Sequence, residues 1–571
     1  MARLPETGAL TELAVPLRPP DQVMRLERLG SFHQTRLSFL RALLRGVQRE
    51  RWQFDRPQWC MNGNGVGHAV YRAISPQHTY SLIAYARELP AERRTDRVIA
   101  EAWDTSYVLF DGEPATADIE RLRENVPKQE AGRYLACDLV LSRANQSVRL
   151  FERVIEALAA GRQPDTAEVE SVGYLMRTTA VYGNGKFGIA DRDVLADRPV
   201  LDGPFRAEML TVWLIRAFTV DLAEHMAECR APGRAVKLAP ALRRRFGVGN
   251  ATGLGMAPFL VKHPALVHRW MLARETALAR VRSQPDATGR QLAVFMATLA
   301  MARRDLARWH VEDAPYMRRI ATLVAGLARL KAHAEGLDWS LARPWDRLYL
   351  WAESELSFEA QEYTVTLLLE PHGELIDALA DTMAADEDAE FRIDGTMSCG
   401  RFRQELRRTH GWALGIDYAQ PDAQARFWYT SVAKLEPRLG ERWEEPGGKL
   451  EQPIGTGRDV AHLAAALATA PDDECLAVFL VRHPEHRNAA RRVQMATRRP
   501  YAEIRDNLLG ARMLPIDILR CKLAFFGATR FDPRSDRWLR ISLFQGAPFP
   551  HELADAPWED WIFGGDGPAP A

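Results

Sequence analysis

Lysine is what this chain most plainly lacks: eight lysines stand against 67 arginines in 571 residues. A GC-rich coding bias accounts for the skew. It also makes any lysine in a suggestive setting worth notice, because lysine is a deprotonatable point charge and arginine is not. Net charge is lacking too, since 75 basic residues cancel 75 acidic ones and no long run of one sign occurs. Nucleic-acid-binding chains ordinarily carry a basic face, so nucleic acid is not an expected partner. The six cysteines are scattered without C-x-x-C spacing, which excludes a disulfide framework and reads as reduced thiols. No run approaches about 18 uninterrupted apolar residues, so no membrane is expected as a partner. The opening MARLPETGALTELAVPLRPP has neither the cationic start nor the apolar stretch of a secretory signal, and the expected location is cytoplasmic. H-E-x-x-H, E-x-x-H, G-x-S-x-G and the P-loop pattern are all missing, so no metal is expected and no cofactor is assigned.

What is present points to an α+β chain, predominantly helical, with a central helical bundle flanked by two mixed segments that contain antiparallel strands. The length exceeds what one core usually supports. The expected division is residues 1–165, an α+β segment with a meander; 166–345, helical; and 346–571, α+β, for which a distant repeat of the first segment and convergent helix-corner chemistry are the alternative accounts of an internal echo. In the first segment an arm ends at Arg18-Pro19-Pro20, and FHQTRLSFLRALLRGVQRE after Ser31 has helical spacing. HAVYRAI, TYSLIAYAREL and RVIAEAWDTSYVLFDG read as an antiparallel meander.

In the middle, Asp165 and Glu168 cap a helix expected to run through AEVESVGYLMRTTAVY to Gly183. A second long helix follows Gly203-Pro204, and three more follow from ALVHRW, GRQLAV and PYMRRI. Beyond about residue 345, DRLYLWAESELSFEAQEYTVTLLLE is expected to be helical, its glutamates 353, 355, 359 and 362 forming a charged helix face, with a supply of paired carboxylates as the alternative. ARFWYTSVAKL, CKLAFFGATRF and RWLRISLFQ read as strands, with Asp532-Pro533 at a turn, and the tail GGDGPAPA as disordered. One internal echo recurs, Phe259-Leu260-Val261-Lys262-His263-Pro264 and Phe479-Leu480-Val481-Arg482-His483-Pro484. In each, His-Pro ends one helix and starts the next.

Three Asn/Gly-rich stretches carry polar residues that packing alone would not ask for. MNGNGVGH holds Asn62, Asn64 and His68, and a turn feeding the meander is the competing explanation. YGNGKFG holds Asn184 and Lys186; a helix C-cap explains its first glycine but not a lysine between two others. RRRFGVGNATGLG supplies Arg245, Asn250, Thr252, Gly253 and Gly255. It misses the dinucleotide spacing and has a helical lead-in, so it reads as an anion-binding helix entrance, with glycine-eased packing as the alternative. SVAKLEPRLGERW, with its alternating charges, reads as a solvated edge. The expected function is a cytosolic enzyme binding a small anionic metabolite that bears a phosphate or a carboxylate. Lys186, His263 and His68 would handle protons, and the Asn, Thr, Gly and Arg245 groups would hold the anion. The rival expectation is a non-catalytic scaffold that forms a homo-oligomer.

Overall fold

The computed structural model describes residues 14–90, 103–126, 134–178, 198, 200–251, 260–261, 263–311, 313–383, 391–419, 428–430, 437–439, 456–505, 515–535, 538–553 and 561–563. Helix occupies 56% and strand 13%, so the chain is α+β and mostly helical. Its strands are β1 (Gln53–Met61), β2 (Gly67–Ile74), β3 (Thr79–Ala86), β4 (Thr105–Asp111), β5 (Asp138–Gln146), β6 (Tyr174–Thr178), β7 (Gly247–Ala251), β8 (Trp428–Thr430), β9 (Pro437–Leu439), β10 (Arg530–Ser535) and β11 (Trp538–Leu543). Strands β8 and β9 pair with each other. The other nine form one sheet in the order β1-β2-β3-β4-β5-β6-β7-β11-β10. Every neighbouring pair in it is antiparallel except β6–β7, which is parallel.

Period-two alternation explains how the meander is covered on both faces. Tyr80, Leu82 and Ala84 of β3 join Tyr107 and Leu109 of β4 in the main core. The intervening Ile83, Tyr85, Val108 and Phe110 pack on the opposite face against Ile119 and Leu122 of a helix at Thr116–Asn125. The main core is built on α1 (Phe39–Arg49) and α2 (Arg206–Arg230). Apolar residues occupy more than one side of α2, and Arg206–Val220 is buried without a break. Inside it, the Arg216 guanidinium donates to the carbonyls of Phe246 at 2.6 Å, Ala547 at 2.7 Å and Arg244 at 3.0 Å. Burial pushes this guanidinium down to about 9.

Three expectations about local structure fail for identifiable reasons. The helix capped by Asp165, whose side chain accepts from the Glu168 amide, is only Thr166–Val172. Gly173 ends it at φ 75°, a left-handed stop, and YLMRT becomes β6. Pro515–Phe526 (α3) is a helix, so CKLAFF is not a strand; tertiary burial overrides the β propensity of its aromatics. Asp532-Pro533 lies inside β10, at a register irregularity, and the β10–β11 connection falls after Ser535.

The Gly-rich stretch is corrected as well. Gly247–Ala251 is strand β7, between β6 and β11. Its glycines permit close approach: a Cβ at Gly247 would lie 2.4 Å from the Leu543 carbonyl oxygen, and one at Gly249 would lie 2.7–2.8 Å from Arg177 and Tyr174. Gly247→Ala is expected to destabilise the fold by about 1–3 kcal/mol through forced separation of β7 from β11. Denaturant unfolding would check this, and an unchanged midpoint would show the strands are not so closely packed.

The remaining helices lie where their periodicity puts them. Pro264–Arg282 (α4), Gly289–Leu306 (α5), Ala314–Gly336 (α6), Pro344–Glu355 (α7) and Phe358–Leu369 (α8) pack into the main core. The glutamates of α7 and α8 do not share one solvated face: Glu355 is exposed and pairs with Arg329 at the surface, but Glu362 turns inward. Glu362 is buried, accepting from Arg18 at 2.8 Å and Arg28 at 3.0 Å and paired with Arg274, while Arg18 also clamps Glu275 at 2.8 and 2.9 Å. Glu359 pairs with Arg520 at 2.7 Å. Helices Cys399–Leu414 (α9), Thr456–Leu467 (α10), Leu476–Arg482 (α11) and Arg487–Arg498 (α12) share a separate core around Phe402, Leu463 and Phe479. Both echoed corners adopt one geometry, with His263 at φ −122°, ψ 61° and His483 at φ −127°, ψ 64°. The residue before proline is driven out of the α region in each.

Candidate functional site

The sheet register fixes where the Asn/Gly stretches lie relative to one another. A single row crosses six strands, Gly67–Ala86–Thr105–Ala144–Thr178–Asn250. The turn between β1 and β2 therefore shares one end of the sheet with the C-terminal ends of β6 and β7. Those two ends are adjacent. The turn is four strand spacings from β6, roughly 19 Å.

Beneath the ends of β6 and β7 is a buried polar cluster. Asn250 is 1% exposed; its side-chain amide donates to the Thr178 carbonyl at 3.0 Å, and its amide oxygen accepts from the Lys522 ammonium. Lys522 projects from α3, 5.8 Å from the Phe526 ring centre, and burial pushes its amine down to about 7. The Thr178 hydroxyl bonds to Ser142 on β5 at 2.5 Å. An amine poised near neutrality beside an amide can gain charge for an anion, or as the free base accept a proton or attack a carbonyl.

No family model, curated protein or solved structure matches this chain.

Of the residues singled out in the sequence, Asn250 is in this cluster. Lys186, Asn184, Thr252, Gly253 and Gly255 lie outside the described residues, as do residues 431–436 and 440–443 of the charged stretch and the tail. Asn62 shapes its own turn: its side-chain oxygen accepts from the amides of Asn64 at 3.0 Å and Val66 at 2.9 Å. His225 of α2 stands against that turn, its Nδ1 3.3 Å from the Trp59 indole nitrogen and its Nε2 3.1 Å from the Asn62 carbonyl. Since the indole can only donate, His225 must donate through Nε2. His68 contacts Arg123 at 3.0 Å, and partial burial and that guanidinium lower its pKa. The three arginines before β7 go to three places: Arg243 to Asp221 at 3.0 Å, Arg244 to Glu552 at 3.2 Å and Arg245 to Glu170. His263 stands at the entrance to α4.

Lys522 is the residue that the sequence reading missed. Its scarcity value was the available signal, and the strand assigned to CKLAFF concealed it. Among the described residues, no group of three or more His, Cys, Asp or Glu side chains could hold a metal ion. No described helix is long and apolar enough to cross a membrane.

Proposed function

We propose that the chain is an enzyme acting on a small anionic metabolite, bearing a phosphate or a carboxylate, that docks over the C-terminal ends of β6 and β7. One observation carries the reading: the buried Lys522–Asn250–Thr178 cluster lies where the described sheet has its parallel pair. In open α/β sheets ligand crevices lie outside the carboxyl ends of the parallel strands, and β6–β7 is the one parallel pair among the described strands of this otherwise antiparallel sheet. Two of the three Asn/Gly stretches continue directly from these ends, Thr252 following Ala251 and YGNGKFG following shortly after Thr178. In this reading Asn184, Thr252, Gly253 and Gly255 receive the anion, Asn250 holds the Lys522 amine in place from beneath, and Lys522 and Lys186 divide charge neutralisation and proton transfer between them. Asn62 and Asn64 sit in the exposed β1–β2 turn, four strand spacings from β6, His68 of β2 contacts Arg123 and Arg245 pairs with Glu170, so none of them serves this site.

The test is calorimetric titration of the full chain with a panel of phosphorylated and carboxylated metabolites at pH 7. At least one compound is expected to bind saturably, and Lys522→Met and Asn250→Ala each to weaken it tenfold or more. A panel without a binder, or variants that bind as the parent does, would overturn the proposal.

A further inference from the structure

A second group of charged side chains lies on the face of the sheet turned away from the main core. Val108 of β4 and Leu141 of β5 belong to the apolar patch on that face. Ser106 is two residues before Val108 and Arg143 two after Leu141, so alternation puts both on the same side. Ser106 pairs in register with Arg143, Asn145 with Arg177 of β6, and Arg177 with Gly249 of β7. Side chains opposed on neighbouring strands lie about 4.5–5.5 Å apart at Cβ, and those two apart on one strand about 7 Å. The missing side chain at Gly249 makes room for Arg177, whose Cγ lies 2.7 Å from where a Cβ would stand.

Arginine at such covered strand positions costs free energy unless an acceptor meets it. Arg177 is 5% exposed, and Ser106 and Asn145 are each 1% exposed. Arg143 and Arg87, the residue after β3, are half-buried, so solvent reaches the group at these two. Burial lowers the pKa of both guanidiniums, and Arg123 adds to the shift at Arg87. Asp104, whose carbonyl accepts from the Arg87 amide at 2.8 Å, supplies a carboxylate; its oxygens accept from the Gln146 amide at 3.1 and 3.2 Å. Among the described residues at this strand end, Arg87, Arg143 and Arg177 thus stand against that one carboxylate. The Ser106 hydroxyl is buried and has no hydrogen-bond partner among the described residues. An oxyanion accepting from it would recover the cost of burying it unmatched.

We infer that, for a ligand docked over the ends of β6 and β7, this outer face holds its phosphate group, with the Arg143 and Arg177 guanidiniums as charged donors and Ser106 and Asn145 as neutral ones. The assignment rests on the proposed function and narrows the anion to a phosphate. Arg177 immediately precedes Thr178, the last residue of β6, so the arginine group and the Lys522 cluster meet at one strand end from opposite faces. A phosphomonoester carries about −1.5 to −2 charges at pH 7 and offers three oxygens to several donors. A carboxylate offers one charge and two oxygens, which leaves more of this group unmatched.

The experiment is calorimetric titration of the full chain at pH 7 with glycerol phosphate and with glycerate, its carboxylate counterpart. Glycerol phosphate is expected to bind saturably and at least tenfold more tightly than glycerate. Arg143→Gln is expected to weaken it tenfold or more, Arg143→Lys severalfold because a point charge replaces the fork, and Ser106→Ala severalfold. Melting temperatures within a few degrees of the parent show that a variant keeps its fold. If Arg143→Gln melts early, Arg143→Lys decides, and parent-like affinity there overturns the proposal. It is likewise overturned by absence of saturable binding, by glycerate binding as tightly as the ester, or by parent-like affinity in a folded Arg143→Gln chain. Loss in Arg143→Gln with parent-like binding in Lys522→Met sustains the phosphate site and overturns the role given to Lys522. The reverse pattern overturns the phosphate site and leaves Lys522 in place.

Discussion

Lys522→Met is expected to stabilise the fold at pH 7 by on the order of 3–5 kcal/mol. Helix α3 delivers the Lys522 amine to a position 3% exposed, and burial lowers its pKa from 10.5 to about 7. Between those values the unfolded chain holds a proton that the folded chain lacks, so this group makes the fold more stable as pH rises from 7 to 10.5. Below pH 7 the folded amine is protonated and the full penalty applies. Methionine has similar length and no charge, and its advantage is therefore complete below pH 7 and fades towards pH 10.5. Loss of the donor to Asn250 trims the gain. Denaturant unfolding of parent and variant at pH 6, 8.5 and 10 would show the narrowing difference. A variant less stable than the parent at pH 6 would mean that the ammonium is compensated in the folded state. The substitution expected to strengthen the fold is also the one expected to remove ligand binding, the trade-off of a residue held for chemistry.

Glu362→Gln should act in the opposite direction and by a similar amount, a loss of about 3–5 kcal/mol. The variant leaves Arg18, Arg28 and Arg274 in the interior with Glu275 as their remaining carboxylate. Burial disfavours the Glu362 anion, but Arg18, Arg274 and Arg28 outweigh it and hold the pKa at about 2 against an ordinary 4.5. Because the folded value is the lower one, the stabilisation is complete above pH 4.5 and is lost as pH falls towards 2. The gap between parent and variant should be widest at pH 7 and shrink through that acid window. Unfolding midpoints at pH 7, 4.5 and 3 measure it. A variant within 1 kcal/mol of the parent at pH 7 would show that the charges are solvated instead of paired.

Fold class was legible because it depends on periodicity. The alternation in HAVYRAI and TYSLIAYA and the apolar stripes from Pro264 to Leu369 report directly which faces are covered. The misreadings occurred where a long-range partner decides local structure. GVGNA has glycines that, in isolation, describe a loop; it is a strand because β6 and β11 approach so closely that side chains would obstruct them. The glutamates of α7 and α8 have the spacing of a solvated helix. What places Glu362 in the interior is a set of arginines hundreds of residues away, among them Arg18 in a stretch that had read as an extended arm. Asn250 was found for its setting among glycines, whereas its partner Lys522 required knowing that α3 lies under the sheet.

The strand order also sets a timetable for synthesis. Strand β7 completes its pairing only with β11, whose residues 538–543 are made long after Ala251. At about 5–20 residues per second, the far side of β7 waits roughly 15–60 s on the ribosome for its partner. An edge left open for that time invites pairing with neighbouring nascent chains. Gly247-Val248-Gly249-Asn250 has little β propensity and few side chains to interlock, making it a poor template for such pairing. The glycines that let the finished sheet close are, during translation, a safeguard against aggregation.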